Sequence, residues 1–150
     1  QTQIDIQLHD TAFVVAHFHI IMAGAALFGV FAGVHYWFPL FFGRLMSERL
    51  GIAHFLLTFV FYYATFFPMH LAGLRGQVRR VYDPYQYDYL KPLASMNAFI
   101  TWAAVALAIS QILFFVNFFW SLKKGDPAGP NPWTAPSLEW SEPSPEEESA

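Results

Sequence analysis

The chain has 150 residues, 55% of them hydrophobic and 19% aromatic, with 17 phenylalanines and only 13% charged residues. An ordinary soluble domain carries about 25% charge, so the composition excludes a water-soluble globule and points to a membrane. With no cysteine, disulfides, thiolate metal sites and cysteine nucleophiles are excluded, and a net charge of −3, owed mostly to the tail, argues against nucleic acid as a partner.

The first eight residues, Gln1 to Leu8, are polar and mildly alternating, and read as a loop on one membrane face. Because the chain starts at Gln1 without a methionine, its true start is expected to be processed or to lie upstream. His9 and Asp10 close this stretch. An apolar run follows from Ala12 to Phe42, longer than the roughly 20 residues that a spanning helix needs. The first span is expected over about residues 11–37, closing near Pro39. Asp10 or Thr11 is suited to cap its start.

His17 and His19 stand two residues apart inside this run. At about 100° per residue they project roughly 200° apart, so they cannot chelate one metal from one helix face. They can bind one group each, on opposite sides of the helix, with centres roughly 12–16 Å apart. A neutral imidazole in hydrocarbon often serves only as a hydrogen-bond partner for a neighbouring helix, but it is also a good axial ligand for heme iron. Asp10, seven residues before His17, would lie on the same face about 10.5 Å higher if the helix already includes it. Ala25, Gly29 and Gly33 form a small-residue stripe of the kind that permits close helix packing. Gly24 is expected beneath His17, and Ala23 and Ala26 near the His19 face. His35, with Tyr36 and Trp37, reads as interfacial.

The sequence from His9 to His19, HisAspThrAlaPheValValAlaHisPheHis, resembles the signature of the tenth transmembrane helix of subunit I in the heme-copper oxidases, the cytochrome c oxidase family. The resemblance implies that His17 is the proximal ligand of a high-spin heme, where oxygen is reduced, and His19 a ligand of a low-spin heme, with Phe18 packed between the two macrocycles. It also implies that His9 and Asp10 border the propionates near a magnesium ion completed by a partner subunit. Ala12 stands where many relatives have tyrosine.

A polar turn over residues 42–50 leads to a second span at about 52–74, in which Pro68 should bend the helix near its end. His54 and His70 lie toward its two ends and are read as non-ligands. In the next loop Arg79 and Arg80 are adjacent, in a pattern that more often marks topology or a headgroup contact. The stretch GlyLeuArgGlyGlnValArgArg is similar, however, to the family loop whose arginine pair binds heme propionates, with Gln77 and Val78 replacing methionine and proline. Fixed guanidinium donors suit a carboxylate. A third span at about 93–122 carries scattered polar residues and reads as a packing helix. Six of the ten prolines and six of the eleven acidic residues fall within 125–150, a tail that cannot fold alone. Its residues 131–140 resemble a segment of bacterial subunit I tails, with Pro136 replacing a common threonine, and disorder is expected beyond Trp140.

The reading is an all-α integral membrane protein. Residues 1–124 form a three-helix portion, helices ten to twelve, of a twelve-helix oxidase subunit I, and 125–150 a tail. The resemblance implies a proton-pumping cytochrome c oxidase of the respiratory chain that reduces oxygen to water with heme a and heme a3. Copper ligands are absent here and must come from the remainder of subunit I. Expected partners are oxidase subunits II and III, cytochrome c and membrane lipid. A quinol oxidase, a nitric oxide reductase and a non-catalytic diheme electron carrier are the alternatives. With Arg79 and Arg80 discounted as propionate partners, the positive-inside balance places the N-terminus outside a bacterial inner membrane and the C-terminus in the cytoplasm.

Overall fold

A computed structural model describes residues 2–140. Among them the architecture is entirely helical, and three helices, Ala12–Phe42, Glu48–Leu74 and Asp88–Lys124, are long and apolar enough to cross a membrane. Such helices satisfy their own backbone hydrogen bonds, which is what hydrocarbon demands.

The ends of these spans differ from the expected ones for identifiable reasons. The first runs through Pro39 to Phe42, because proline removes only one backbone bond whereas Gly43, at φ 64°, supplies the left-handed cap and donates to the Pro39 carbonyl at 2.8 Å. The second begins at Glu48, not Ile52. Asn117 fixes the preceding Ser47 by accepting from its N–H and donating to its carbonyl, both at 3.0 Å. The third opens as a 3-10 segment over Asp88–Leu93 and is α-helical over Ala94–Lys124. The stretch expected as an N-terminal loop is a short exposed helix, Thr2–Leu8, closed where the His9 N–H and Nδ1 both reach the Asp5 carbonyl.

The second span packs against both others, along the third and against the start of the first. Part of its contact with the third is polar. Gln111 links His54 and Thr58, each at 3.2 Å, and Ser110 at 2.9 Å, and such bonds contribute about 0.6–2 kcal/mol each in a bilayer. At the N-terminal end of the first span, Ala12, Ala72, Leu90 and Leu93 form a small core that joins all three helices and the loop.

Among the described residues two features of packing add to the sequence reading. The stripe of Ala25, Gly29 and Gly33 does not make the close approach: nothing lies within 4 Å of a Cβ placed on Gly29, and Gly33 meets only Trp37 of its own helix. The close approach is made by Gly73, which sits directly on the Phe13 backbone. The tail, for its part, borrows surface from the first span. Leu45 donates to the Asp126 carbonyl at 2.8 Å, Trp133 donates its indole N–H to the Tyr36 carbonyl at 2.9 Å, and Trp140 is buried edge-on to Tyr36. The disorder expected beyond Trp140 lies outside the described residues.

Candidate cofactor site

The first span meets the second along a line through Ala12 and Ala16, and Ala16 is fully buried. His17 is one residue on, about 100° to one side, and His19 is three residues on, about 60° to the other. The two imidazoles therefore straddle the helix contact.

His19 is half-buried and held on three sides. Its Nδ1 faces the Val15 carbonyl at 2.7 Å, and since a carbonyl only accepts, Nδ1 carries the proton and Nε2 keeps its lone pair. Phe66 stacks on the ring at 4.5 Å and 12°, and Phe18 lies against it at 4.3 Å. His17 is exposed, and among the described residues neither of its ring nitrogens has a hydrogen bond. Its ring lies 6.4 Å from Phe13 and 6.5 Å from His70.

His70 is a residue that the sequence reading set apart, as belonging to a membrane face away from the pair. The structure places it level with His17, because the pair itself is nearer that face than expected. His17 is five residues into its span, about 8 Å, and His70 is four residues from the end of the second. Its Nδ1 donates to the Phe66 carbonyl at 3.2 Å. Spacing within one helix carries no signal of this meeting, which is made between two spans.

A π-helical turn over His19–Ala23 comes directly after the pair. It adds one residue to the turn and rotates the remainder of the span by about 100° relative to a straight helix. Gly24, expected beneath His17, is thereby brought onto the contact line, where it is buried against Tyr62.

Above the histidines, the loop after the second span is tied to the start of the first. Ala12 donates to the Gln77 carbonyl at 2.8 Å and Arg79 to the Asp10 carbonyl at 2.9 Å. Thr11, not Asp10, caps the span, its hydroxyl accepting from the Phe13 N–H at 3.3 Å. Asp10 is left-handed at φ 57° and lies outside the helix, so the helical rise of 10.5 Å assigned to it does not apply. Its Oδ1 accepts from Arg79 Nε at 2.8 Å and Nη2 at 2.5 Å. Arg80, also left-handed at φ 64°, is exposed, and among the described residues its side chain has no hydrogen bond or ion pair. The arginine pair is thus split, one engaged and one free. His9 Nδ1 lies on the Asp5 and Ile6 carbonyls at 3.0 and 3.2 Å. Among the described residues no three His, Asp or Glu side chains form a metal-binding group.

The hydrogen bond from Arg79, and then its charge, hold the Asp10 carboxyl below the usual carboxylate range. A depressed folded-state pKa stabilises the fold above the unfolded value and loses that contribution as pH falls through the folded one. The protection factors of the amides of 77–80, exchange rates taken relative to the intrinsic rate at each pH, should therefore be flat above about pH 5 and fall only below about pH 4. In an Arg79→Gln variant they should already be low at neutral pH.

Residues 1–109 match the sequence profile of the family described as Cytochrome C and Quinol oxidase polypeptide I. The chain belongs to this family. It is 47% identical over 144 residues to cytochrome c oxidase subunit 1 of Thermostichus vulcanus, covering 95% of this chain and 25% of the relative. It is 43% identical over 141 residues to the alternative cytochrome c oxidase subunit 1 of Bradyrhizobium diazoefficiens, covering 93% and 24%. With the heme-copper oxidase subunit I+III of Aeropyrum pernix, identity is 40% over 139 residues, covering 91% and 16%. The chain thus spans about a quarter of the first two oxidase subunits, and the match takes in both histidines, the arginine pair and the first two spans.

Proposed function

We propose that the chain is the C-terminal part of the catalytic subunit of a proton-pumping cytochrome c oxidase, and that it supplies one axial imidazole to each of two hemes. The observation that carries this reading is the placement of His17 and His19 on opposite flanks of the helix contact, with His19 held in the tautomer that leaves Nε2 available. An imidazole such as His17, in a hydrocarbon span and without a protein partner, costs free energy unless something outside this chain satisfies it. Both donor sets fit heme iron. When bound, the hemes, of types a and a3 in this reading, would carry electrons to oxygen and reduce it to water.

In this assignment His17 orients the high-spin group and His19 the low-spin one, with Phe18 between the two sides. Arg79 and Arg80 meet propionates. Arg80 is free to do so, and Arg79 has an Nη1 donor not engaged by Asp10. His9 Nε2 and Asp10 Oδ2 are the atoms this chain could lend to a magnesium ion, two of the six ligands that ion takes, so a partner and water would complete the site. Copper is bound by the remainder of subunit I. Subunits II and III, cytochrome c and lipid are the partners, and the loop carrying Arg79 faces outward, with the C-terminus cytoplasmic in a bacterial inner membrane.

The test is the carbon monoxide difference spectrum of the purified complex that contains this chain. An oxidase gives one CO-binding heme and one that does not respond. A complex whose hemes both ignore CO is a diheme carrier, and a heme-free complex removes the assignment altogether.

A further inference from the structure

The π turn that begins at His19 has a second support besides its own backbone. The His19 carbonyl accepts from the Gly24 N–H, five residues on, and also from the phenol of Tyr62 on the second span. Tyr62 is 3% exposed and wedged between Phe28 at 5.8 Å and Phe66 at 4.8 Å, the same Phe66 that stacks on the His19 ring. It thus reaches His19 twice, through the backbone carbonyl and, by way of Phe66, through the imidazole. Gly24 is what admits it, since a Cβ there would stand 3.2 Å from the Tyr62 oxygen and 3.4 Å from Cε1. A buried phenol in an apolar span needs an acceptor, and a carbonyl in a π turn can take a second donor.

We propose that Tyr62 is a positioning residue for the low-spin ligand, pinning the π turn so that His19 presents its imidazole at one fixed angle while His17, before the turn, is untouched. The proposal rests on the assignment of His19 as a heme ligand. The juxtaposition also explains why Gly24 is glycine: it completes the groove that the phenol enters.

The experiment uses the purified complex, with Tyr62→Phe, Gly24→Ala, their combination, and Tyr63→Phe on the exposed neighbouring ring as the reference. Ligand orientation is read from the ferric low-spin electron paramagnetic resonance signal, the reduced low-spin band and its midpoint potential. Tyr62→Phe should shift and broaden the low-spin signal beyond the Tyr63→Phe reference and leave the CO difference spectrum of the His17 side unchanged. Gly24→Ala should produce the same shift by crowding the phenol, and the two together should add little to either alone. Should Tyr62→Phe fail to assemble, the Gly24→Ala signal decides. A wild-type complex with no low-spin heme overturns the His19 assignment and this proposal with it. A normal wild-type signal that neither variant moves overturns the role of Tyr62 alone, as does strict additivity of the two shifts.

Discussion

Replacing His17 with alanine in the assembled complex is expected to abolish oxygen consumption and to remove the CO-induced band, while much of the low-spin spectrum survives. His19→Ala should remove the low-spin band and leave a heme that still binds CO. The separation is geometric: the two rings leave the helix on opposite sides of the Ala16 contact, and no hydrogen bond joins them among the described residues. The expected loss of turnover for His17→Ala is at least about 100-fold, because loss of a mere supporting partner to a metal ligand costs 10–100-fold. The two rings also differ in their supports. His19 is fixed by Val15, Phe66 and Phe18, so His19→Gln, which keeps a polar group there, should not restore the band; the aromatic neighbours of the His17 ring among the described residues are Phe13 and His70. Optical spectra of the two variants, recorded reduced and reduced with CO, decide the matter. If both substitutions changed the same band, the histidines would serve one cofactor and the two-sided assignment would fall.

The spans were legible because an apolar run is a property of composition, and so was the two-sided disposition of His17 and His19, which needs only the pitch of a helix. What escaped was set by contacts between segments distant in sequence. Asp10 could be placed on the His17 face only if the helix already included it, and nothing local reveals that Arg79, 69 residues away, takes its carboxylate. His70 looked peripheral since only the meeting of two spans brings it to His17. The π turn has no marker within the first span; its visible trace is Gly24, whose partner Tyr62 lies on another helix. Pro39 misled in the other direction, as a breaker that the helix absorbs. The small-residue stripe has no facing helix among these three spans: small side chains permit an approach, and the helix that makes it is not one of them. In these three spans the face bearing Gly29 is open, and Phe118 only borders the groove beside it.

That contrast between Gly29 and Gly73 yields the second large effect. A Cβ at Gly73 would enter the van der Waals shell of the Phe13 backbone nitrogen as well as of its Cα and Cβ, all atoms that cannot swing aside. Gly73→Ala must therefore push the first and second spans apart where Ala12, Ala72, Leu90 and Leu93 form the joint core and where the Gln77 carbonyl grips Ala12. Overpacking of this kind costs about 1–3 kcal/mol and occasionally more. The thermal midpoint of the assembled complex, of which this chain is one part, should fall with it. Because Phe13 borders both His17 and His70, the same displacement should alter the CO-binding spectrum before it alters the low-spin band. Gly29→Ala meets no neighbour within 4 Å among the described residues and replaces glycine with a residue about 1 kcal/mol better in a helix, so from these three spans its midpoint should hold or rise. Thermal denaturation of the two variants in detergent, followed in the heme absorption bands, checks both. Equal midpoints for Gly73→Ala and wild type would mean that the two spans are not in backbone contact there, and the core at that end would have to be rebuilt around some other approach.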